Sequence, residues 1–182
     1  WASATYVAPR DGDPAPGGFT TVLTPTQWRG LAAFAKATGG DVVLSAPTSP
    51  GTRDAKGVWT SVQLEALLRR SQAYGIRIAG VAFMNEPNLI GLTGAPANYT
   101  VADYARDYAI FAKAVRRIAP GARLLGPGAV GGASLGPIAA LGGVKTLPAP
   151  ELIAASKPAR STAISRARNA SSVRSYGNPK VS

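Results

Sequence analysis

Ile78-Ala79-Gly80-Val81-Ala82-Phe83-Met84-Asn85-Glu86-Pro87-Asn88 is the stretch on which the fold turns. Its first seven residues are apolar or small with no polar alternation, as a parallel strand buried on both faces requires. Polar side chains then follow at once, so a carboxylate and two amides stand just past the C-terminal end of that strand. Parallel β/α folds assemble their sites at that mouth. Pro87 keeps a helix from starting immediately and biases Glu86 toward extended backbone.

Two further apolar runs share this character: Asp41-Val42-Val43-Leu44-Ser45-Ala46 and Arg123-Leu124-Leu125-Gly126. Each follows a predicted helix. Thr24 precedes Pro25 with Gln27 three residues on, Thr60 stands three before Gln63, and Thr100 three before Asp103. Thr at an N-cap accepts from the N3 amide, and Gln or Asp at N3 can reach back. Trp28, Leu31, Phe34 and Ala35 give the first helix an apolar face, and Leu64, Leu67 and Leu68 the second. In the third, Val101, Tyr104, Tyr108, Phe111, Val115 and Ile118 make one face, with Arg106, Asp107, Lys113, Arg116 and Arg117 largely off it. Starts near 24, 60 and 100 imply β/α units roughly 36–40 residues long. A short helix is expected over 147–155 and one more strand at Thr162-Ala163-Ile164-Ser165.

That alternation suits either a (β/α)8 barrel or a small doubly wound α/β sheet. A closed barrel usually needs about 250 residues, and the chain has 182. Length favours the sheet, and the strand-end motif favours the barrel. Residues 1–156 read as the α/β unit. Residues 157–182 form a Ser/Ala/Arg-rich segment with six basic side chains and no acid, against 14 basic and 9 acidic before it. More than half of the +11 net charge therefore lies in that last segment. It could hold phosphates, but only Tyr176 is there to stack on a base, so no nucleic-acid partner is expected.

With no Cys and no His, disulfides, Cys or His nucleophiles and ordinary zinc sites are excluded. No metal or cofactor is expected, and no stretch is long and apolar enough for a transmembrane helix. Acid–base chemistry would fall to nine carboxylates, lysines or tyrosines. A Glu at a strand end is most often solvated or paired with an Arg.

Asn85-Glu86-Pro87-Asn88 after an apolar strand resembles the acid/base motif of retaining glycoside hydrolases with β/α-barrels. Together with the aromatic helix at 101–118 and Ala122-Arg123-Leu124-Leu125-Gly126-Pro127-Gly128, it is similar to the heparanase and β-glucuronidase-like family. The resemblance spans about residues 1–155 and is strongest at 83–128. It implies a partial (β/α)8 barrel in which Glu86 is the general acid and base. Asn85 would hold the 2-hydroxyl of the sugar, with Asn88 as a further substrate contact. It also implies an oligosaccharide or glycoside substrate, uronic-acid sugars included, and a secreted or periplasmic complete protein.

A retaining mechanism needs a second carboxylate about 5–5.5 Å from the first. In that family it lies on a later strand, and no other acid of this chain has a strand-end setting. The expectation is therefore an incomplete hydrolase, inactive by itself. The alternative is a small, non-enzymatic α/β binding module with a basic tail.

Overall fold

The computed structural model describes residues 4–90, 92–130 and 146–157. Two short strands, β1 (Thr5–Val7) and β2 (Thr21–Leu23), pair in parallel with Thr5 opposite Thr21. Helix α1 (Pro25–Thr38) leads into β3 (Val42–Ser45), and α2 (Val62–Ala73) into β4 (Ile78–Ala82). Helix α3 (Val101–Ile118) then precedes β5 (Arg123–Leu125), and α4 (Ala149–Ser156) is the last described element. Strands β3, β4 and β5 form a second parallel sheet in that order.

These two sheets are open, and β2 does not pair with β3. The partial (β/α)8 barrel implied by the motif is thus corrected: the described strands form two open sheets rather than a continuous curved one. What the molecule presents is the alternative, a small open α/β fold. The three apolar runs are indeed parallel strands, but burial on both faces holds only for the centre of β4, at Gly80 and Val81. Among the described residues β3 and β5 each have an unpaired edge, and Val43 is 60% exposed.

Local chemistry explains the helix ends. Thr24 and Gln27 close a reciprocal capping box on α1, and Gly39 ends the helix at φ 64°. Thr100 and Asp103 close the same box on α3. The box expected at Thr60 does not form, because both side chains have other partners. Thr60 donates to the Thr52 carbonyl at 2.8 Å, and Gln63 accepts from the Val7 amide at 2.7 Å, tying β1 to α2. Helix α2 begins behind Ser61 instead, with Ser61 Oγ donating to Glu65.

Phe83, just past β4, is the hub of the core. Trp59 meets it edge-on at 5.1 Å, Phe111 lies at 5.2 Å, and Tyr104 and Tyr108 complete the cluster. Helix α1 is tied to α2 by Trp28 Nε1 donating to Ser71 Oγ at 3.0 Å. Leu152 of α4 is fully buried, and Ser156 meets the Tyr104 hydroxyl at 3.2 Å, which seats α4 on α3. The sheets are linked at one close approach. A side chain on Gly51 would collide with the ring of Phe19, and one on Gly18 with the backbone of Gly51, whose amide donates to the Gly18 carbonyl at 3.2 Å. The strand expected at Thr162–Ser165 and nearly all of the basic segment at 157–182 lie outside the described residues.

Candidate functional site at the end of β4

Beyond β4 the chain stays in step with the chain beyond β5. Asn85 bridges Gly128 in parallel, and the Glu86 amide donates to the Gly128 carbonyl at 3.2 Å. The Leu89 amide then donates to the Glu86 carbonyl at 2.9 Å, closing a turn over Pro87. These two bonds hold Glu86 at φ 47°, in the left-handed region. The extended backbone expected of a residue before proline is therefore corrected. An L-residue other than Gly, Asn or Asp there costs on the order of 1–3 kcal/mol and persists only where its surroundings over-determine it.

Asn88 supplies part of that surrounding. It is fully buried, its Nδ2 donates to the Val130 carbonyl at 2.7 Å, and its Oδ1 accepts from the Val130 amide at 3.0 Å. Its own carbonyl accepts from the Leu147 amide at 3.0 Å. Asn88 thus mimics a strand and clamps the loops behind the rim. Asn85 is exposed, and Glu86 is half-buried. Among the described residues the Glu86 carboxylate forms no ion pair and accepts no hydrogen bond.

All nine carboxylates are among the described residues, and seven of the other eight already have partners. Asp11 accepts from Thr26, Asp13 pairs with Arg10, and Asp41 pairs with Arg77. Asp54 caps the amides of Lys56 and Val58. Glu65 pairs with Arg117 at 2.5 Å, which with the Ser61 bond holds its carboxyl below the usual range. Asp103 is held low chiefly by the Thr100 hydroxyl. The eighth, Glu151, is exposed in the first turn of α4.

Asp107 is the residue that sequence reasoning misplaced. Expected off the apolar face of α3, it is fully buried. Its Oδ2 accepts from Arg53 at 2.9 Å and from the Tyr99 hydroxyl at 2.8 Å, while its Oδ1 faces the Trp59 amide and Arg106. Arg53 also lies over the Tyr99 ring at 5.0 Å and donates to the Gly57 carbonyl. Burial, followed by the Asp107 charge, pushes the Tyr99 phenol far above its ordinary range. The signal was present in the spacing: Asp107 stands three after Tyr104 and four before Phe111, on their face. Trp59, beside it, is a core residue with its indole N–H on the Pro47 carbonyl at 2.8 Å.

No family model and no curated protein matches the chain. With the open sheets, this overturns the assignment to heparanase-like or β-glucuronidase-like retaining glycosidases and the hydrolase activity that came with it. The physical reason is that the motif is short. Asn85 to Asn88 specifies a local turn at a strand end, whereas the hydrolase needs a second carboxylate facing the first; seven of the other eight carboxylates are engaged elsewhere, and Glu151 stands on α4. Among the described residues, no group of three or more His, Cys, Asp or Glu side chains could hold a metal ion. No described helix is long and apolar enough to cross a membrane.

Proposed function

We propose that the chain is a non-enzymatic binding module for a polyhydroxylated, sugar-like ligand, taken up at the mouth of the β3-β4-β5 sheet by Asn85 and Glu86. The observation that carries this reading is Glu86 itself: a carboxylate without a protein partner among the described residues, on backbone held in a costly conformation. Strain of that kind concentrates at ligand sites, and ligands of open α/β sheets bind beyond the carboxyl ends of the strands. A carboxylate accepts from two neighbouring hydroxyls, and the exposed Asn85 amide offers both a donor and an acceptor beside it. Uronic-acid sugars belong to the panel as a counter-case, since their own carboxylate would meet Glu86 with like charge. The same proposal places the module outside the cytoplasm, where glycans are met, and fractionation of producing cells checks that placement.

Calorimetric titration with a panel of neutral and uronic-acid oligosaccharides tests the reading. Hydrogen bonds to a charged group contribute about 1.5–3 kcal/mol, so Glu86→Gln should weaken binding roughly 10- to 100-fold with the melting temperature unchanged. Failure of every sugar to bind, or equal binding by the Glu86→Gln and Asn85→Ala variants, would overturn it.

A further inference from the structure

A cleft of about 750 Å³ lies between α3, α4 and β5, well within the range of small-molecule sites. Its walls are apolar, with Ala112 of α3, Leu124 of β5 and Ile153 of α4 among them, and Lys113, Arg116 and Lys157 contribute cationic side chains. No carboxylate lines it. Ile153 is 49% exposed there.

We propose that this cleft binds a small organic anion with an apolar body, its charged head an alkyl phosphate or carboxylate held by Arg116, Lys113 and Lys157. The cations of α3 are sorted by their partners. Arg106 pairs with Asp103 and Asp107, and Arg117 pairs with Glu65, whereas Lys113 and Arg116 form no ion pair among the described residues, nor does Lys157 just past α4. Lys113 also lines a groove beside Glu65, without reaching pairing distance. Arg116 stands close enough to Tyr108, a wall of the cleft, for its charge to oppose the upward shift that burial gives the phenol.

Helix polarity alone accounts for part of this. Arg116 lies in the last turn of α3 and Lys157 follows the end of α4, where cations complement the carbonyl ends. It does not account for Lys113 a turn earlier, nor for three unpaired cations around one apolar hollow. An anion there gains from all three heads at once, while its body covers Leu124 and Ile153. The site is separate from the Asn85–Glu86 rim, and neither proposal depends on the other.

Calorimetry on the full chain with octyl phosphate is the test, with octanoate, inorganic phosphate and neutral octyl glucoside as comparison arms. One octyl phosphate per chain is expected. Octanoate should bind more weakly, and inorganic phosphate and octyl glucoside at least about tenfold more weakly. Affinity should fall with salt, as charge attraction at an open site does. Arg116→Gln with Lys157→Gln should lose at least about tenfold, and Arg116→Lys with Lys157→Arg should recover most of it. Equal binding of octyl glucoside, equal binding of inorganic phosphate, or full affinity in the double Gln variant would each overturn the proposal. So would binding to phosphatidylglycerol vesicles with none to monomeric octyl phosphate. Both cations are exposed, so an unchanged melting temperature verifies that the variants fold.

Discussion

Asp107 on α3 and Glu86 in the turn past β4 are both carboxylates, and the fold treats them in opposite ways. Asp107 is enclosed, and two arginines, a phenol and a backbone amide surround its two oxygens. Its backbone is ordinary helix. Glu86 has an unusual backbone and a side chain with no protein partner among the described residues. A saturated carboxylate on relaxed backbone is part of the frame. An unsaturated one on strained backbone is, on the proposed reading, the contact offered to a ligand. Burial depth alone separates the two less well than the bookkeeping of their partners does.

The largest test of that contrast removes each carboxylate in turn. Asp107→Ala leaves the Arg53 guanidinium buried and uncompensated, and breaking a buried pair in this way costs about 3–5 kcal/mol. Glu86→Gln should stay within about 0.5 kcal/mol of the parent. Urea denaturation of both variants measures the gap, and equal midpoints would erase the distinction.

Asn88→Ala comes next in size. It strips the Val130 amide and carbonyl of their partners, a cost of about 1–3 kcal/mol. It should also weaken ligand binding at the rim, because Glu86 loses the frame that holds its backbone. A variant with lower stability and unaltered affinity would show that the clamp and the rim are independent.

Asp103 lies between the two extremes, as a half-exposed cap. Asp103→Ala should cost on the order of 1 kcal/mol at neutral pH. The Thr100 hydroxyl holds its carboxyl low, so the sign of the pH effect is determined. Its contribution is complete above the ordinary carboxylate value near 3.9 and is lost as pH falls through the depressed folded value. Thermal melts from pH 7 to pH 2 should therefore show parent and variant converging in acid. A difference that persists at pH 2 would assign the cost to helix propensity instead.

What could be read in advance follows the range over which each signal acts. The boxes at Thr24 and Thr100 close within three residues, and both were legible. The box at Thr60 was not, because Thr60 and Gln63 are recruited by Thr52 and by Val7, the latter 56 residues away. The apolar runs announced β3, β4 and β5, while β1 and β2, at three residues each, carry too little pattern to stand out. At the candidate site, the position of Asn85 and Glu86 just past β4 was legible from the apolar run before them. The role of Asn88 depends on Val130, and that of Asp107 on Arg53 from 54 residues upstream. The barrel and its chemistry were over-read from a short motif, since local resemblance says nothing about where a distant second acid stands.

The meeting of Gly18 and Gly51 has a mechanical meaning. Two backbones touch there with no side chain between them to yield, so the contact works as a hard stop and not as a cushion. The β1–β2 ribbon cannot tilt toward the turn at Pro50–Thr52, and any rocking of one against the other must open the gap. The Val7–Gln63 bond carries the same constraint from the first ribbon on to α2.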